Sequence, residues 1–236
     1  MRWSLVLLAV AACAGEIDGE AELDDVVIRD PTGVDFVDTA VGLVRTDDSN
    51  CTGTLISPRV VVTAAHCIHG GNQNVLFYAG PSDDYRLNPY YWADSWVLAD
   101  GSDVALIFLR ESPGVVPEGR WGATPYVGYA EFVGYSRHGG GGTDQNVSRL
   151  WVRDEVKYLD EYWLLDGVAL CHGDSGGPLY QYFDGIPKIV GIFSQGTQLR
   201  WGDEDCFISD VWHQRLDYLQ PWISWWIQSW DGIAYY

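Results

Sequence analysis

The 236-residue chain carries 33 acidic against 14 basic side chains, for a formal net charge of −19 and a pI near 4.3. So acidic a chain excludes nucleic acid and anionic membrane surfaces as partners, because both are bound through basic patches. The length suffices for one large domain or two small ones, and no repeat of solenoid period is present.

Residues 1–12 read as targeting sequence. Met1-Arg2-Trp3-Ser4 is a short basic start, and Leu5 to Ala12 is apolar but too short to span a bilayer. The junction Val10-Ala11-Ala12-Cys13 resembles a bacterial lipobox, in which the cysteine becomes the lipidated first residue of the mature protein. The alternative is an ordinary signal peptide cleaved around Ala12-Cys13-Ala14, which discards the thiol. A lipid on Cys13 is the one membrane attachment expected, since no other segment is apolar enough to span. Residues 13–35 read as an acidic linker or pro-segment, because Glu16 to Asp25 holds six carboxylates and little to bury.

Beyond residue 35 the chain has many short β-branched or aromatic runs separated by Gly, Pro, Asn and Asp, which predicts an all-β fold. Val60-Val61-Val62 reads as a strand that delivers His66 at its end, within Thr63-Ala64-Ala65-His66-Cys67. Ser102-Asp103 stands immediately before a second apolar run, Val104 to Leu109. A Gly/Pro-containing connector, Pro113 to Gly122, leads to a second β unit starting near Tyr126. His138 followed by Gly139 to Gly142 reads as a surface loop and lacks the Lys-Ser/Thr and following helix of a phosphate cradle. Asn146-Val147-Ser148 matches a glycosylation acceptor and is incidental in a bacterial lipoprotein. Ile189 to Ser194 reads as a further strand. Leu216, Leu219, Trp222, Ile223, Trp226 and Ile227 recur at helical spacing, predicting an amphipathic C-terminal helix that Pro221 confines to a start near itself.

The segment Cys171-His172-Gly173-Asp174-Ser175-Gly176-Gly177-Pro178-Leu179 surrounds one serine with residues that serve its reactivity. Glycines on both sides let the backbone turn sharply and leave the hydroxyl open. The N–H groups of Gly173 and Ser175 can aim at one point, where a developing oxyanion would sit. A serine hydroxyl is a weak nucleophile alone, so this reading requires a histidine base and an orienting carboxylate. His66 and Asp103 supply them.

The order His66, Asp103, Ser175, carried by A-A-H-C, S-D-V-A-L and G-D-S-G-G-P-L, resembles the trypsin/chymotrypsin-like serine proteases from about residue 36 to about 228. The resemblance implies two packed Greek-key six-stranded β-barrels with a C-terminal helix, in a domain spanning 36–228 with barrels at about 36–113 and 121–215. It implies a monomeric serine endopeptidase acting on protein or peptide substrates, without metal or cofactor. Other function classes are a catalytically silent homologue that binds a partner through its cleft, and a hydrolase whose substrate is an ester.

The same resemblance assigns disulfides Cys51–Cys67 and Cys171–Cys206, and hence export to an oxidising compartment, either extracellular or as a cell-envelope lipoprotein. Of the five cysteines, Cys13 is left over. Ser194 matches a family serine that hydrogen-bonds the triad aspartate, and Gly196 one that leaves the specificity pocket open. At the pocket floor Ala169 and Leu170 imply an apolar pocket. Asp210 matches the opposite side of the floor, where a carboxylate would select basic side chains. The alternative is a solvent-facing Asp210, because the stretch from Cys206 to Val211 is shorter than the family's. The chain departs from the family at its activation sequence. Asp174 is present, but the usual Ile-Val-Gly-Gly-like N-terminus is not. Its cation would come either from a new N-terminus near Val26 to Ile28 or from the internal Arg137.

Overall fold

The computed structural model describes residues 40–68, 74–80, 82, 84–137, 147–166, 170–201 and 204–232. The targeting segment, the acidic segment, Cys13, Val26 to Ile28, the glycine run after His138, Asn146 and Ala169 therefore lie outside the described residues.

The first unit is a closed antiparallel barrel. Strands β1 (Val41–Arg45), β2 (Asn50–Ser57), β3 (Val60–Thr63), β4 (Leu76–Tyr78), β5 (Tyr90–Leu98) and β6 (Ala105–Leu109) follow one another in the order β1-β2-β3-β6-β5-β4, with β4 pairing back to β1. Every residue of β3 and β6 is buried, which explains why both read as continuous apolar runs rather than alternating ones. Their pleat splits the side chains between two cores. Val61, Ala105, Ile107 and Leu109 fill the barrel interior with Leu55 and Phe77. Val60, Val62, Leu106 and Phe108 point the other way, into a second core shared with Tyr135, Ile192, Leu216 and Ile223. This shared core fixes the first unit against the second, and so fixes the residues each contributes to the site.

The second unit comprises β7 (Gly128–Arg137), β8 (Val147–Val156), β9 (Tyr158–Leu159), β10 (Trp163–Asp166), β11 (Leu170–Cys171), β12 (Pro178–Phe183), β13 (Ile186–Trp201) and β14 (Glu204–Arg215). They form an eight-stranded sheet in the order β8-β7-β12-β13-β14-β10-β9, with β11 paired to β14. Five of these strands run six residues or more, and β10 has four. The two additional ones, β9 and β11, are two residues each. β9 folds back on β10 through a turn in which Asp160 Oδ1 accepts from Tyr162 N–H at 2.8 Å. β11 is the short approach to the Ser175 turn. Phe132, Leu164, Leu179, Val190, Phe193 and Val211 fill the interior of this sheet.

The C-terminal helix α1 (Gln220–Asp231) starts beside Pro221, as the sequence predicts, and ends at Gly232, whose φ of 69° suits a left-handed cap. Leu216 and Leu219 are buried but precede the helix, in the turn that follows β14. Their helical spacing reflects a shared direction toward the core rather than a shared helix. The far end of α1 is tied to the first barrel by Asp231, whose side chain is 3% exposed. Its carboxylate accepts from Ser57 Oγ at 2.6 Å, Arg59 N–H at 3.1 Å and Arg59 Nε at 3.0 Å. The Arg59 guanidinium also lies 5.5 Å from the Trp230 ring, and Phe108 packs on Trp226 and Trp230. Asp231→Ala leaves these donors without their acceptor and is expected to lower stability by about 2–3 kcal/mol in urea unfolding. A loss under about 0.5 kcal/mol, the scale of ordinary surface changes, contradicts this anchoring.

Candidate active site

His66 occupies the 3-10 turn Ala65–Ile68 that ends β3, so the strand delivers it to the barrel rim. Its Nδ1 lies 2.7 Å from Asp103 Oδ2, and its backbone N–H donates to Asp103 Oδ1 at 2.8 Å. Asp103 stands just ahead of β6, whose pairing with β3 (Thr63 opposite Ala105) brings the two loops together. Ala65 N–H donates to Asp103 O at 3.2 Å, closing the approach. Ser194, on β13 of the second unit, donates its hydroxyl to Asp103 Oδ2 at 2.5 Å. Burial by itself raises the Asp103 pKa. The hydrogen bonds and charge of His66, with the Ser194 hydroxyl, outweigh it and hold the carboxyl below its ordinary 3.8. Asp103 is therefore an anion at neutral pH, with its oxygens committed to His66 and Ser194.

The residue before this aspartate is held as well. Ser102 Oγ donates to Gln214 Oε1, and the Tyr218 hydroxyl lies 2.9 Å from Ser102 Oγ and 2.8 Å from Gln214 Oε1. The sequence reading missed Gln214 and Tyr218; a glutamine within the run from Val211 to Leu216 was the available signal.

Ser175 sits in a turn between β11 and β12. Gly173 and Gly176 on either side take φ of 105° and 82°, values that a side chain would strain. Asp174 N–H donates to Cys171 O, Gly177 N–H to Asp174 O, and Gly176 N–H to Phe193 O. Thr52 N–H on β2 donates to Ser175 O at 2.8 Å, and a Cβ on Gly176 would fall 2.2 Å from Thr63 Oγ1. The serine turn thus packs directly on the strand and turn that lead to His66. Among the described residues, neither the Gly173 nor the Ser175 N–H has a hydrogen-bond acceptor.

Asp174 is fully buried beneath this turn, where its Oδ2 accepts from Cys171 N–H at 2.9 Å. A Cβ on Gly134 would come within 2.2 Å of Asp174 Oδ1, so β7 must have glycine there for the carboxylate to fit. Arg137 ends β7, its backbone paired with Val147, and its side chain is outside the described residues.

The remaining predicted residues fall around β13 and β14. Half-buried Gly196 pairs with Val211, and Asp210, next along β14, is exposed. Leu170 is buried opposite Phe207. His213, which the sequence reading did not single out, is fully buried between the Phe132 and Phe193 rings. Cys51 and Cys67 form a disulfide that ties β2 to the His66 turn. Cys171 is disulfide-bonded, and its backbone partner across the β11–β14 ladder is Cys206. Among the described residues the one grouping of three metal-ligating types is Cys51, His66 and Cys67. Its disulfide withholds both thiolates from a metal.

The fold brings His66, Asp103 and the Ser175 turn together where a closed barrel meets a second β sheet. The family model for trypsin matches residues 36–223, and the chain belongs to the trypsin family. It is 28% identical over 220 residues to a trypsin of Simulium vittatum, a match covering 79% of this chain and 85% of that one. It is 26% identical over 243 residues to alkaline trypsin C of Manduca sexta, covering 86% and 91% of the two chains. An uncharacterized peptidase of Corynebacterium glutamicum is 27% identical over 220 residues, covering 88% of this chain and 71% of that protein. Among solved structures, a Glu endopeptidase in complex with MPD superposes with a TM-score of 0.65 at 17% identity, over 81% of this chain and 91% of that one. The family is one of proteases, whose substrates are proteins and peptides.

Proposed function

We propose that this protein is a serine endopeptidase that cleaves peptide bonds through an acyl-enzyme, with Ser175 as nucleophile, His66 as general base and Asp103 as its orienter. The observation that carries this reading is the bonding around Asp103. One oxygen faces His66 Nδ1 and the other accepts the His66 backbone N–H. A proton on Nδ1 is thereby held, which leaves Nε2 as the basic nitrogen for a serine hydroxyl. In the reaction Ser175 Oγ adds to the scissile carbonyl as its proton passes to His66, and the resulting imidazolium is stabilised by Asp103. His66 then gives that proton to the departing amine. A water molecule, deprotonated by His66 in turn, releases the acyl group and restores Ser175. Gly173 and Ser175 N–H groups would hold the oxyanion, consistent with both lacking an acceptor among the described residues.

Two finer assignments belong to the same proposal. Cys171 is bridged to Cys206, holding the serine turn to the strand behind the pocket, in keeping with export. Cys13 carries the lipid anchor, which mass spectrometry of the mature N-terminal peptide would reveal.

For the cleaved bond, Asp210, exposed one residue from the Gly196–Val211 pair, would attract a lysine or arginine side chain on the acyl side. A positional peptide library tests both levels. Wild type is expected to cut after Lys and Arg, and Asp210→Asn to lose at least about tenfold of that preference, the scale of one charged contact. Cleavage after large apolar residues would return the pocket to the Leu170 side, and no cleavage of any peptide would overturn the endopeptidase reading.

A further inference from the structure

Thr52 touches the serine turn from the other barrel through a hydroxyl that the proposed chemistry does not itself use. It lies on β2, one residue after Cys51, and is fully buried. Its Oγ1 donates to Gly173 O at 2.7 Å and accepts from Tyr135 N–H on β7 at 2.8 Å. These directions are forced, because an amide N–H only donates and a carbonyl only accepts. Thr63 Oγ1 in turn donates to Thr52 O at 2.7 Å, fixing Thr52 from the next strand.

The peptide units of the turn differ in how they are held. Asp174 O receives Gly177 N–H, and Ser175 O receives Thr52 N–H, so the units bearing the Ser175 and Gly176 N–H groups are anchored. The unit bearing the Gly173 N–H is set by rotation about the φ of Gly173, which has no Cβ to restrain it. The next unit along carries Gly173 O and the Asp174 N–H. The Thr52 hydroxyl grips its oxygen from across the interface, and Cys171 O accepts its N–H at 3.1 Å. Without the Thr52 hydroxyl this unit loses the hold on its oxygen, and a tilt of it about the Gly173 Cα turns the Gly173 N–H away from that of Ser175.

We propose that Thr52 is a positioning residue, whose hydroxyl locks the Gly173 carbonyl and so keeps the Gly173 N–H aimed at the oxyanion position. The proposal rests on reading Ser175 as the nucleophile. Valine matches threonine in shape and β-branching but has no hydroxyl, whereas serine keeps the hydroxyl and loses a methyl group.

The test compares full-length wild type, Thr52→Val and Thr52→Ser by amide hydrogen exchange of the segment 171–177 and by steady-state kinetics on a cleaved peptide. In Thr52→Val, exchange in this segment is expected to quicken about tenfold or more. kcat is expected to fall about 10- to 100-fold with KM within about threefold, somewhat less than deleting an oxyanion donor outright. Thr52→Ser is expected to restore both. A valine variant with unchanged exchange and unchanged kcat overturns the proposal. So does equal loss of kcat in both variants alongside equal loss of thermal stability, because packing alone then accounts for it. If wild type cleaves nothing, while valine alone still quickens exchange at this turn, the endopeptidase reading fails and the Thr52 lock stands.

Discussion

Ser175→Ala is expected to cut peptide turnover about 10⁶-fold while leaving the fold intact. The size of this loss follows from how the group works as a unit. Without a hydroxyl there is no bond to form at the carbonyl carbon, and the proton relay through His66 and Asp103 has nothing to relay. The residue left behind is compatible with the site. Ser175 is held through its backbone carbonyl, which accepts from Thr52 N–H, and alanine keeps that bond. The glycines that shape the turn are also untouched. Circular dichroism and the unfolding midpoint are therefore expected to match wild type within about 1 kcal/mol, as for a small change at a half-buried position. Turnover within tenfold of wild type would remove Ser175 from the chemistry.

Asp103→Asn is expected to cost about 10⁴-fold in kcat with the geometry nearly preserved. An amide in this position can present its NH₂ to His66 Nδ1, which turns the imidazole to the wrong tautomer and leaves Nε2 protonated. The His66 N–H and Ser194 hydroxyl compete for the single remaining acceptor oxygen, where the aspartate satisfies both. The same substitution alters the response to acid. The folded-state pKa of Asp103 lies below its ordinary 3.8. Its ionised form therefore stabilises the fold above the ordinary value, and that contribution is lost as pH falls through the lowered one. Wild type is expected to lose stability on acidification below about pH 4 more steeply than Asp103→Asn. Parallel thermal melts from pH 6 to pH 2 check this, and superimposable slopes would contradict it.

The residues proposed to react were legible in the sequence because that chemistry dictates local composition. A serine that must turn sharply and present two N–H groups needs glycines at Gly173 and Gly176, and a histidine delivered by a strand follows a run such as Val60 to Val62. The residues that align these parts were not legible. Thr52 meets Gly173 across 121 positions of sequence, and Gln214 meets Ser102 across 112, so no local pattern joins either pair. Gly134 looks like any strand glycine until the Asp174 carboxylate is seen against it. The all-β class and the C-terminal helix followed from periodicity, and the joining of a closed barrel to a second β unit from the motifs. Periodicity alone also drew Leu216 and Leu219 into the helix, because residues of a turn can face the same core as the helix they precede. The short strands β9 and β11 have too few residues to show a period at all.

The most direct test of the account is covalent. Folded wild-type protein treated with a fluorophosphonate, then digested and sequenced by mass spectrometry, should carry a single adduct on Ser175. That adduct should be absent from protein unfolded before treatment and from His66→Ala. No adduct on the folded protein, or one on another residue with Ser175 unmodified, would contradict the claim that this serine is the activated nucleophile.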